Sequence, residues 1–149
     1  MYQFEYSIFI NRSPEDVFAF VTDPDNLAKW QGGRETFQWI TEDPPGVGSR
    51  YRVHASILGR KIDGEMEVTD WEVPSQYTIR GSSGPLTSVY TRKFEAQGEG
   101  TLLTQISEVE IGGILKVLEG VAGRYTKRLF ASVYPNLKQI MEADQETEV

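Results

Sequence analysis

The chain opens in a period of two. Along YQFEYSIFIN, residues 2–11, Tyr2, Phe4, Tyr6 and Ile8 fall on one face, the alternation of a half-buried strand. Ser13-Pro14-Glu15-Asp16 then reads as a helix start: serine caps, proline suits the first helical position, and acids favour the positive helix end. Val17, Phe18 and Val21 form its buried stripe, and Asp23-Pro24 stops it, because the residue before a proline avoids the α region. A second short helix is predicted from Asp25 to Trp30, with Leu27 and Trp30 pointing inward.

From residue 34 to 111 the period of two returns. Phe37 and Trp39 alternate, and Asp43-Pro44-Pro45-Gly46 ends that strand. Tyr51, Val53, Ala55 and Ile57 share a face, Leu58-Gly59 turns, and Ile62, Gly64, Met66 and Val68 return inward with Asp63, Glu65 and Glu67 outward. Pro74-Ser75 marks a turn before Tyr77 and Ile79, and Gly81-Ser82-Ser83-Gly84-Pro85 reads as a loop. Strands over 87–96 and 101–111 are joined by Gln97-Gly98-Glu99-Gly100. Short strands linked by turns imply antiparallel pairing, since parallel pairing needs long crossovers. After Gly112-Gly113 the steps become three and four, through Leu118, Ala122, Tyr125, Leu129, Val133, Leu137 and Ile140, the stripe of one long helix. Unbroken to Ala143 it would span about 45 Å, with Pro135 expected to kink or break it. Strand, two short helices, six strands and a long helix make an α+β chain.

This order resembles the helix-grip superfamily of polyketide cyclases, START lipid-transfer domains and birch-pollen-allergen-like proteins (SRPBCC). The likeness rests on Ser13-Pro14-Glu15-Asp16-Val17-Phe18, on Asp23-Pro24-Asp25-Asn26-Leu27-Ala28-Lys29-Trp30, on Gly46-Val47-Gly48-Ser49, and on Gly100-Thr101 opening the last strand. It implies a curved seven-stranded antiparallel sheet around the long C-terminal helix, as a single START-like, polyketide cyclase-like domain over residues 1–149. These motifs cap helices and make turns. They therefore specify fold rather than chemistry, and no catalytic residue is carried over from the family.

Composition narrows the classes. At 149 residues the chain has the length of one domain, long enough to build a core without staples. It has no cysteine and one histidine, His54, which excludes disulfides, thiolate metal sites, a cysteine nucleophile and a multi-histidine site. No cofactor or metal is indicated. The formal charge of −7 lacks the basic footprint of a nucleic-acid binder and disfavours anionic membrane surfaces. No run reaches the length of a membrane span, so stable insertion is not expected. The chain reads as cytoplasmic. The acids Glu142, Asp144, Glu146 and Glu148 read as a frayed, solvated end.

Alternation also places the candidate chemistry. If Tyr90 and Phe94 face the long helix, so does Arg92; if Leu103 and Val109 face inward, so do Gln105 and Ser107. A buried cation needs a carboxylate, water or a ligand anion, and such a patch would orient the polar end of a ligand. Two other arrangements stay open: Arg92 near an open sheet end, or turned out by a bulge. The register is open as well, since Leu102 and Ile106 are apolar on the opposite face. Trp39, Tyr51, Met66, Tyr77 and Tyr125, with Leu118 and Leu129 of the helix stripe, are candidate walls; ordinary core packing is the alternative for each. Gly64 gives room for a ligand or a bend. His54 falls on the outer face, Asp63, Glu65 and Glu67 read as solvated, and Asp70, Trp71 and the Gly81 to Pro85 loop are placed at a pocket entrance. The first reading is binding or transport of a small hydrophobic molecule such as a lipid, polyketide or isoprenoid. The alternatives are a cyclase or dehydratase working in the same cavity, with Arg92, Tyr90 and Gln105 as donors to an enolate, and a regulator that binds a partner through its surface. Oligomeric state is left open.

Overall fold

Edge strand β1 (Tyr2–Ile10) is followed by α1 (Pro14–Thr22) and α2 (Pro24–Gln31), then by β2 (Thr36–Trp39), β3 (Arg50–Ile57), β4 (Arg60–Glu72), β5 (Gln76–Ser83), β6 (Leu86–Gln97) and β7 (Gly100–Ile111). A 3-10 helix (Gly113–Leu118) leads into α3 (Glu119–Thr147). This computed structural model describes residues 1–31, 36–40, 46–57 and 60–147. The Leu58-Gly59 turn and residues 43 to 45 of the proline loop lie outside the described residues, as do the side chains of Leu27, Phe37, Trp39, Ala55, Ile57 and Ile62.

The described strands form one seven-stranded sheet in the order β1-β7-β6-β5-β4-β3-β2, antiparallel throughout. Strands β1 and β2 occupy opposite edges, and α1 and α2 carry the chain between them. The local signals act as their chemistry requires. Ser13 Oγ accepts from the Asp16 N–H at 3.2 Å, Pro14 starts α1, and Val17, Phe18 and Val21 are buried.

Helix α3 packs on β1, β7 and α2. Its 29 residues correspond to about 43 Å. Gly123 allows close passage: a Cβ there would collide with the Tyr2 ring. Farther along, Lys138 Nζ donates to the Phe9 carbonyl at 2.6 Å and Arg12 Nη1 to the Met141 carbonyl at 3.1 Å. Pro135 lies inside the helix and is exposed. The helix continues through it, with Phe130, Val133, Tyr134, Leu137 and Met141 buried on the opposite side.

Three expectations change. The first concerns the loop over 81–85. Strand β5 runs on through Ser83, and Ser83 pairs with Leu86 across a two-residue turn at Gly84-Pro85. Gly81 suits the strand there, since a Cβ on it would meet the Met66 thioether and displace it. Secondly, Leu118 does not join the buried stripe; it is 48% exposed at the end of the 3-10 helix, whose three-residue turn breaks the phase of the helix behind it. Strand β4 also carries an irregularity at Val68/Asp70, and Gly64 pairs in register with Val53. Lastly, α3 continues through Thr147, and Glu142 accepts hydrogen bonds from Asn11 N–H at 3.0 Å and Lys138 Nζ at 2.8 Å. Glu142 is therefore part of the fold rather than a frayed end.

Candidate functional site

The site grows out of the unbroken pairing of β6 with its neighbours. Arg92 lies opposite Gln105 on β7 and Tyr77 on β5, and Tyr90 lies opposite Ser107 and Ile79. Side chains on directly opposed residues leave the sheet on the same side. Arg92 is 3% exposed, and Gln105 and Ser107 are fully buried beside Phe94, Leu103 and Val109. Leu102 and Ile106 are half-buried on the other face. The register thus turns a cation, an amide and a hydroxyl into the space between sheet and helix.

A short polar network holds them. Arg92 Nε donates to Gln105 Oε1 and to the Tyr134 phenol oxygen, both at 2.9 Å, and Nη1 donates to the Tyr77 phenol oxygen at 2.7 Å. The Tyr134 hydroxyl donates to Gln105 Oε1, and Gln105 Nε2 donates to Ser107 Oγ at 2.8 Å. Aromatic faces complete the surroundings: the guanidinium carbon lies 5.2 Å from the ring centroid of Trp30 and 5.7 Å from those of Tyr77 and Phe130. Rings around a desolvated cation stabilise it through their quadrupoles. Burial works against the charge on Arg92, but the oxygens of Tyr134 and Tyr77 outweigh it and hold its pKa above the ordinary arginine value. Burial also pushes the Tyr77 and Tyr134 phenols up, against the pull of Arg92, so both stay neutral.

Next to this network lies a partly open cavity of about 150 Å³. The sheet lines it with Tyr51, Met66, Ile79, Tyr90 and Arg92, and α3 with Tyr125, Leu129 and Phe130. Gly64 and Gly81 lie in its wall and leave room where side chains would stand. A second, much smaller void on the α1 side of Arg92 is bounded by Val21, Trp71 and Tyr77.

Of the residues singled out from sequence, Tyr51, Met66, Tyr90, Arg92, Tyr125 and Leu129 line the main cavity. Tyr77 and Gln105 bind the guanidinium, and Ser107 anchors Gln105. Leu118 is absent from the wall, and Trp39 belongs to β2 with its side chain outside the described residues. Trp71 packs 5.1 Å from Phe18 and 5.7 Å from Tyr77, in the aromatic cluster under α1 rather than at the main entrance. Asp70 accepts from Gln76 Nε2 at 2.8 Å. His54 lies exposed on the outer face, 2.6 Å from Asp63.

Three residues of the site escaped the sequence reading in that role: Trp30, Phe130 and Tyr134. Tyr134 is the most consequential, since it bonds Arg92 and Gln105 and packs 5.4 Å from Tyr6 and 5.8 Å from Trp30. Its signal was present one position beyond Val133, on a stripe drawn too narrowly. Three to four apolar positions per two turns face a core, and Phe130, Tyr134 and Met141 fill that wider stripe.

Comparison with known proteins agrees with this architecture. The family described as "Polyketide cyclase / dehydrase and lipid transport" matches residues 1–142. No curated protein matches the chain by sequence. Among solved structures, a conserved protein from Geobacillus kaustophilus is similar at 23% identity and a TM-score of 0.76, over 95% of this chain and 96% of that one. A protein from Thermus thermophilus follows at 18% identity and a TM-score of 0.77, over 96% and 99%. Ara h 8.0201 is similar at 17% identity and a TM-score of 0.76, over 95% and 98%. At these identities the structural likeness speaks to the fold, a sheet gripping a long C-terminal helix. With nearly its whole length matched, the chain belongs to the polyketide cyclase / dehydrase and lipid transport family.

Proposed function

We infer that the domain binds or carries a small hydrophobic molecule in the cavity between sheet and helix. The observation that carries this reading is the cavity itself: its described lining is largely apolar and aromatic, with Gln31, Ser82, Ser83, Ser88 and Thr126 as neutral polar groups and the buried Arg92 as its cation. Concave apolar sites with a few placed polar groups are how proteins hold small ligands. Among the described residues that line it there is no carboxylate and no histidine, so the walls suit holding a molecule better than moving its protons. The test is native mass spectrometry of freshly purified protein, with organic extraction of anything bound. A defined apolar molecule at near-stoichiometric occupancy supports the reading. A chain that arrives empty and takes up no member of a panel of apolar probes overturns it.

One observation favours a second reading, a cyclase or dehydratase. Arg92 lines the cavity with Nη hydrogens that no hydrogen bond among the described residues uses, and preorganised donors of this kind stabilise an enolate oxygen. Full turnover of a polyketide-like substrate by an Arg92→Met variant would remove the basis for it.

A further inference from the structure

Resting on the binding reading above, we propose that the ligand is a monoanion: a small carboxylate held by Arg92, with an apolar body on the scale of one six-membered ring in the cavity.

The donors of Arg92 outnumber the acceptors that meet them among the described residues. A guanidinium carries five N–H groups and accepts nothing. The Nε hydrogen is shared between Gln105 and Tyr134, and one Nη1 hydrogen goes to Tyr77. No hydrogen bond among the described residues uses Nη2 or the second Nη1 hydrogen, and no carboxylate pairs with Arg92. All three partners are neutral, a primary amide and two phenols. Two further donors lie around the guanidinium. The Tyr77 oxygen accepts from Arg92, and its own hydrogen has no acceptor among the described residues. Trp30 Nε1 is buried without a partner, and its ring lies against the guanidinium. The cavity wall therefore holds one positive charge with unused N–H groups, among neutral side chains of which Gln31, Ser82, Ser83, Ser88 and Thr126 are polar.

A ligand alcohol would bring an acceptor oxygen but no charge, and an alkyl amine, protonated near neutral pH, would be repelled by the guanidinium. An amide would offer one carbonyl oxygen. A carboxylate supplies two charged acceptor oxygens in a plane, and the fork of a guanidinium matches that geometry. One guanidinium matches one negative charge, hence a monoanion. The size limit comes from the cavity, whose volume of about 150 Å³ is that of apolar cavities that accept benzene. Tyr90 and Phe130, in edge-to-face contact 5.4 Å apart, together with Met66 and Leu129, would enclose a ring or short chain.

The test compares benzoate with benzamide, which has nearly the same shape and no charge, by calorimetric titration, with toluene as an uncharged apolar control. Benzoate is expected to bind about tenfold or more tightly than benzamide, and Arg92→Met to abolish that preference while toluene binding persists. Should the variant fail to fold, carbon-13 NMR of carboxyl-labelled benzoate on the unaltered protein decides. The bound carboxyl is expected to stay ionised to about one pH unit or more below the titration point of free benzoate. Equal affinity for acid and amide, or a bound carboxyl that titrates like the free one, overturns the anionic ligand and leaves the cavity reading standing. If benzoate, benzamide and toluene all fail to bind, the cavity reading falls, and this inference with it.

Discussion

At the inner side of the cavity, Arg92, Gln105, Tyr77 and Tyr134 are buried and tied to one another by hydrogen bonds. Toward the opening, Met66, Tyr125 and Leu129 are only half-buried and meet the same space. The two regions share a sheet and a helix but carry different risks. A buried polar network holds its geometry while every member is present, and each deletion leaves orphaned groups. A half-exposed apolar wall loses only the area it covered. Stability is therefore concentrated at the inner side, and adaptability to a ligand at the opening.

The strongest way to break this contrast is Tyr134→Ala. It removes an aromatic side chain packed on Tyr6, Trp30 and Phe130 and orphans Arg92 and Gln105. A loss of about 3–5 kcal/mol is expected, read from urea unfolding. Tyr134→Phe keeps the packing and deletes only the hydroxyl, so about 1–3 kcal/mol should be lost. The difference between the two variants separates packing from hydrogen bonding.

At the opening, Tyr125→Arg should leave the unfolding free energy within about 1 kcal/mol and lower affinity for an apolar ligand by about tenfold or more. A large stability loss there, with affinity unchanged, would erase the distinction between the two regions. Gly81→Ala is subtler. The added methyl meets the Met66 thioether, a flexible end that swings away at little cost. Ligand size preference should shift toward smaller molecules, with a stability change of about 1 kcal/mol or less, measured by titration with a homologous series.

Glu142, outside both regions, gives the smallest effect and serves as a control. Burial alone would raise its pKa, but the Lys138 ammonium and the Asn11 N–H outweigh burial and lower it from the ordinary 4.5. Its stabilising contribution is thus complete above about pH 4.5 and is lost as the pH falls through the lowered folded value. Glu142→Gln should lose a little stability at pH 7 and almost none relative to the parent at pH 2, without altering ligand affinity.

Much of this was legible in the chain. The cap at Ser13, the stop at Asp23-Pro24, and the alternation through Tyr90, Arg92 and Phe94 are local, and each is set by a few neighbouring residues. What misled the reading was also local. Gly81-Ser82-Ser83 has turn composition, yet β4 and β6 pair on either side of it and keep it in the sheet. Leu118 continued a helical spacing that a 3-10 turn interrupts.

The sequence by itself determined which residues share a face. Side chains alternate along a strand whatever it packs against, so Arg92 had to go where Tyr90 and Phe94 went, and Gln105 where Ser107 went. It also determined what chemistry was available: one histidine, no thiols, and an arginine within an apolar strand. Only the tertiary structure decided that the arginine's partners would be neutral. Tyr134 comes 42 positions later, on another element, and its approach depends on how α3 is rotated against the sheet. At 100° per residue a modest rotation of the helix changes which side chains meet the guanidinium, and nothing local sets that angle. Packing between layers set it, and so left a buried cation with no carboxylate partner among the described residues, beside a largely apolar cavity.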